Sequence, residues 1–130
     1  MEIYLSKTIS GRNFETVEAE IIEKLKEQGF GVVTEIDMQS TFKKKLDIDF
    51  RKYKILGVCN PGYAHKAITA NDKVGVLLPC NVCIQELSPA EIEVFAINPM
   101  EAMKAIKTPE MEEFGIEITK RLQSALDSLA

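Results

Sequence analysis

Tryptophan is missing from this 130-residue chain, histidine occurs once and cysteine only three times. A single histidine excludes sites built on histidine clusters, and an odd cysteine count argues against the disulfide framework of small secreted domains. No apolar run approaches the roughly 18 residues of a membrane span; the longest, residues 74–78, is strand-sized. Residues 1–7 also lack the basic start and apolar stretch of a secretory signal, so a cytoplasmic location is expected. Basic excess is absent as well. Sixteen Lys and Arg face twenty Asp and Glu, leaving a net charge of −4 and a pI near 5.1. Such a chain has no electrostatic draw toward a phosphate backbone, so neither nucleic acid nor membrane is an expected partner.

What is present is the composition of an ordinary packed domain, 45% hydrophobic and 28% charged. The length suits one domain spanning residues 1–130. There is no internal repeat, low-complexity tract or flexible linker. Ile3, Leu5 and Ile9 suggest a half-buried strand over 2–9, ended by Gly11. Phe14, Val17, Ile21, Ile22 and Leu25 recur at helical spacing between an Asn13 cap and Gly29. Val32, Val33, Ile36 and Met38 mark a second strand, and a short helix is expected over 40–46. Lys43, Lys44 and Lys45 read as that helix's solvated face. Asp47, Asp49 and Arg51 read as loop charges, since no calcium-loop spacing follows, and no metal is assigned.

Residues 53–59 are rich in strand formers, after which Asn60-Pro61 supplies an N-cap and a first-turn proline. The helix over 61–70 is expected to turn Ala64, Ala67 and Ile68 inward. Residues 74–78 and 81–87 read as strands on either side of Pro79, which cannot donate to a ladder. Residues 88–91 make a hairpin turn into a strand over 92–97. Asn98-Pro99 opens a short helix carrying Met100, Met103 and Ile106. Thr108-Pro109 opens the last helix, with Met111, Phe114, Ile118, Leu122, Ala125 or Leu126, and Leu129 on one stripe. The order predicts an α+β fold: a mostly antiparallel sheet covered on one face by helices.

Cys59 closes a strand just before a helix N-terminus, where unpaired amides favour thiolate over thiol. That position suits a nucleophile, a redox sensor or a soft-metal ligand; the plain alternative is a buried core cysteine. Cys80 and Cys83 share a Cys-x-x-Cys spacing, but residues three apart on an extended strand point to opposite faces, so the pair does not converge. A zinc site would have to recruit Cys59 and His65. His65, six residues after Cys59, would serve as base or ligand only if its helix face met the thiol. Catalytic triads, phosphate loops and framed carboxylate pairs are absent, and no cofactor is named.

Gly57-Val58-Cys59-Asn60-Pro61 followed by Val76-Leu77-Leu78-Pro79-Cys80-Asn81-Val82 resembles the family called domain of unknown function 302, with its Cys-Asn-Pro and Leu-Pro-Cys elements. The likeness extends over nearly the whole chain: residues 14–29 resemble the family's first helix, and Asn98-Pro99 stands where its usual Asp-Pro does. The resemblance implies a β-α-β(4)-α arrangement like that of the TATA-box-binding protein, a homodimer, and no established activity. It also implies that Cys59 and Cys80 are the family thiols, with Asn60, Pro61, Pro79 and Asn81 shaping their loops; Cys83 lies outside the pattern. Three functional expectations follow. The first is a domain that binds a small molecule, soft metal or sulfur species through Cys59 and Cys80, with His65 nearby. The second is a thiol oxidoreductase or hydrolase with Cys59 as nucleophile. The third is an interaction module with structural cysteines. Homodimerisation is expected also because strand edges invite pairing.

Overall fold

Every α-helix starts on a side chain that occupies its first free amides, which places the helix boundaries locally. In the computed structural model, which describes residues 2–106 and 108–130, Asn13 Oδ1 accepts from the Thr16 amide at 2.8 Å and opens α1 (Phe14–Glu27). Asp37 accepts from Ser40 N at 3.0 Å and opens α2 (Met38–Leu46). Asn60 does the same for α3 (Pro61–Ala70), Asn98 for α4 (Pro99–Ala102) and Thr108 for α5 (Pro109–Asp127). Three of these helices carry proline in the first turn, where its missing N–H costs no helix bond.

The strands are β1 (Tyr4–Ser10), β2 (Gly31–Asp37), β3 (Tyr53–Cys59), β4 (Cys80–Ser88) and β5 (Glu91–Ile97). They form one five-stranded sheet in the order β1-β5-β4-β3-β2, with every neighbouring pair antiparallel. The first two strands in sequence therefore lie at opposite edges, and α1 spans the sheet between them. Period-two alternation sends Leu56, Val58, Val82, Ile84, Ile92, Val94 and Ala96 to one face, where they are buried. Val17, Ile21 and Leu25 of α1 and Met111, Ile118, Leu122 and Leu126 of α5 complete that core. Burying each Leu or Ile there contributes about 2 kcal/mol.

Among the described residues, the other face carries no long helix. It holds Tyr53, Ile55, Cys83, Phe95 and Ile97, all half-buried. One end is shielded by aromatic packing that runs from Phe42 of α2 through Phe50 and Tyr53 to Phe95, with ring centroids 5.1, 6.4 and 6.0 Å apart in turn.

Four expectations need correction. Residues 74–78 form no strand; Asp72–Leu77 is a 3-10 helix started by Asn71, whose Oδ1 accepts from Lys73 N at 3.0 Å. Val74 is fully buried and Leu77 and Leu78 pack half-buried against the core, while Val76 is 86% exposed. A short apolar run has no periodicity to separate strand from helix. Ile68 is 44% exposed, because α3 contacts the core along a narrow stripe through Ala67. Met38 belongs to α2, since the Asp37 cap ends β2 one residue earlier. β4 begins at Cys80 itself, in register with Val58.

Candidate functional site

The two cysteine motifs meet at one end of the sheet. In the β3–β4 ladder Val58 pairs with Cys80 and Gly57 with Asn81, so Cys59 is one residue beyond the partner of Cys80. All three cysteines are free thiols. Cys80 belongs to the core at 6% exposure. Burial, followed by charge on Cys59, pushes its thiol up to about 11, so Cys80 is protonated at neutral pH. Cys59 is half-buried and lies immediately before the Asn60 cap of α3.

Glycine and proline shape the floor of this corner. Thr34 of β2 pairs with Gly57, and a methyl group added at Gly57 would overlap the Thr34 side chain and come within 2.8 Å of Pro79 Cγ. Only a residue without a side chain lets the Pro79 ring and Thr34 close over the strand. The Leu78–Pro79 peptide, which leads into Cys80, is cis. Asn81, next to Cys80, is exposed on the other face of the sheet.

Asn60 links three elements. Its Oδ1 accepts from Tyr63 N and its Nδ2 donates to Gln28 O, each at 3.4 Å. Gln28 ends α1, and the next residue, Gly29, has φ +88° with its Cα so close to Asn60 that a Cβ there would lie 2.7 Å from Nδ2. The Arg121 guanidinium of α5 donates to the same Gln28 carbonyl at 3.1 Å and stacks over the Tyr63 ring, 5.2 Å from its centroid. The Cys-Asn-Pro element thus anchors the start of α3 to the end of α1 and the middle of α5. Asn60 was visible in the sequence as a cap; Gln28 and Arg121 carried no local signal, because they act through a carbonyl and a long-range stack.

His65 is exposed on α3 and, among the described residues, makes no hydrogen bond to either thiol. Cys83, three residues after Cys80, lies on the opposite face between Ile55 and Phe95, as strand alternation requires. Burial pushes its thiol up and the Tyr53 hydroxyl works against that shift. Among the described residues no three His, Cys, Asp or Glu side chains gather as a metal-ligand cluster, and no helix is long and apolar enough to cross a membrane.

Comparison with known proteins adds to this geometry. The model of a family described as "Domain of unknown function DUF302" matches residues 5–129. The chain belongs to the DUF302 family. The solved structures include an uncharacterized conserved protein DUF302 from Bacillus stearothermophilus, which superposes with a TM-score of 0.90 at 24% identity over 100% of both chains. That likeness shows the shared fold. No curated protein matches. For this DUF302 chain the α+β class and the antiparallel sheet expected from the sequence are both present.

Proposed function

We propose that this DUF302 domain binds a small soft ligand, a thiophilic cation or a sulfur species, at the corner defined by Cys59 and Cys80. The observation that carries the reading is the β3–β4 register: the cysteines of two separate motifs lie one register step apart across adjacent strands, at the end of the sheet where β3 gives way to the Asn60 cap. Burial first, and charge on Cys59 second, raise the Cys80 thiol. Soft sulfur donors select soft partners such as monovalent copper or silver, and need no acid–base apparatus. Asn60 and Pro61 hold the Cys59 side by starting α3, and Pro79 and Asn81 flank Cys80. His65 stands on the exposed side of α3 as a further donor within the same segment. The reading needs reduced thiols, which the cytoplasm maintains.

Because Cys80 is protonated at neutral pH, a cation bound there displaces its proton, and affinity rises with pH. Silver(I) is a suitable redox-inert probe. Native mass spectrometry of the whole protein is expected to show one tightly held equivalent, lost in Cys59→Ser and Cys80→Ser and kept in Cys83→Ser. Equal binding by wild type and the Cys59→Ser/Cys80→Ser double variant overturns the proposal.

A second reading is favoured by the position of Cys59 before a helix N-terminus. Of the motif's two thiols it is the one suited to act as a nucleophile, since Cys80 is buried and protonated. Iodoacetamide labelling at graded pH tests it. Cys59 reacting well below the free-thiol range of about 8.5 supports a nucleophile, and reaction only at that value or above excludes one.

A further inference from the structure

Sulfur outside the cysteines is concentrated in one place. Three of the chain's five methionines, Met100, Met103 and Met111, line a single groove of about 560 Å³ between α4 and α5. Tertiary packing brings them there. α4 and the 3-10 turn Met103–Ala105 that follows it lie against the first half of α5, and Gly115 is the point of closest approach. A Cβ at Gly115 would lie 3.3 Å from Met100 Cα and 3.4 Å from Pro99 O, so a side chain there would hold the two segments apart. One turn further along α5, Thr119 Oγ1 accepts from the Met100 amide at 3.1 Å. These two contacts fix Met100 over Gly115. Met111 lies one turn before Gly115 on the same side of α5, and Met103 one turn after Met100, so the second pair of methionines meets where the two segments continue side by side.

Met103 and Met111 are buried and Met100 is half-buried. Methionine is a common filler of irregular core gaps, and a filler leaves no space beside it. Here three thioethers border space that nothing fills. A thioether sulfur is a soft donor, and sulfur of this kind selects monovalent copper over harder cations. The remaining lining suits a cation of low charge. Ile106 and Ile116 make it apolar, Glu112 supplies a carboxylate, and Lys104 is paired with Glu101 Oε2 at 2.8 Å.

We propose that Met100, Met103 and Met111 form a thioether site for a soft monovalent cation, copper(I) or its analogue silver(I), in the groove between α4 and α5. The site shares no residue with the cysteine corner and goes beyond the thiol reading. Its chemistry also differs, since a thioether has no proton for the cation to displace and holds it less tightly than a thiolate does.

Silver(I) titrated into protein labelled with methyl-13C methionine tests the proposal. The protein titrated carries Cys59→Ala, Cys80→Ala and Cys83→Ala, so binding at the cysteine corner does not contribute and no outcome bears on the thiol reading. The methyl resonances of Met100, Met103 and Met111 are expected to shift together and to saturate at one equivalent, while that of Met38 stays in place. In wild type the same shifts are expected on the second equivalent, after the thiols have filled, which gives the readout even if the cysteine-free variant does not fold. Replacing all three methionines by leucine keeps the side-chain volume and removes the donors, and is expected to abolish the binding. Each single Met→Leu change is expected to weaken it at least about tenfold. Far-UV circular dichroism confirms that the leucine variants are folded. Resonances that do not move, a shift at Met38 as large as at the other three, or silver still held by the triple leucine variant would each overturn the assignment.

Discussion

Cys80 and Cys83 are the same side chain on the same strand, three residues apart, yet they experience different surroundings. Cys80 faces the helices and is in the closed core, where its thiol is pushed up to about 11. Cys83 faces outward between Ile55 and Phe95, half-buried, with a phenol beside it. The difference belongs to the two faces of the sheet. One is sealed by α1 and α5 and treats a polar atom as a cost. The other is a single layer of side chains shielded at one end by Phe42 and Phe50, and leaves its residues partly hydrated. A Cys-x-x-Cys spacing on a strand is therefore no dithiol motif; it samples both faces.

The largest expected effect comes from removing the same volume on each side. Ile84→Ala, in the sealed core, is expected to lower unfolding stability by about 2–5 kcal/mol, because the cavity cannot be filled. Ile55→Ala, on the adjacent strand but the other face, is expected to lose about 1 kcal/mol, since solvent already reaches that layer. Urea denaturation of both variants decides it, and equal losses would mean that the outer face is covered as well as the inner one.

Next in size is the alkaline response of Cys80. The fold favours the protonated thiol, whose pKa is raised above the unfolded value of about 8.5. Its contribution is complete below that pH and disappears as pH rises through about 11. That is of order 2–3 kcal/mol. Between those limits wild type is expected to lose more stability than Cys80→Ala, measured by denaturation at graded pH; parallel curves would remove Cys80 from the core side of the comparison. The smallest expected effect is at Cys83→Ser, within about 1 kcal/mol of wild type, because a hydroxyl suits a partly hydrated site beside Tyr53. A loss as large as that of Cys80→Ser, followed by thermal melting, would erase the contrast between the faces.

How far the sequence disclosed all this depended on the range of each interaction. Helix starts at Asn13, Asn60, Asn98 and Thr108 were legible because a cap acts over three residues. The α5 stripe was legible for the same reason of short period. The 3-10 segment after Asn71 was not, since five apolar residues fit a strand as well as a turn of helix. The burial of Ala67 without Ile68 was not either, because the rotation of α3 is set by neighbours distant in sequence. At the candidate site the residues themselves disclosed only that Cys59 precedes a helix and that Cys80 and Cys83 diverge. Pairing of Cys59 with Cys80 came with the family resemblance, and the Gln28 carbonyl shared by Asn60 and Arg121 is a product of tertiary packing alone.

The strand order also sets a timetable. β1 leaves the ribosome before the other four strands, yet among the described residues the strand it pairs with is β5, with Tyr4 opposite Ile97 and Ser10 opposite Glu91. β2, β3, β4 and β5 can join as successive neighbours while β1 still has no ladder to enter. Closing that long loop is an entropic cost met only after the rest of the sheet exists. β1 therefore has no ladder to enter until β5 is in place, and until the two pair, the edge of β5 is open to whatever extended chain comes near.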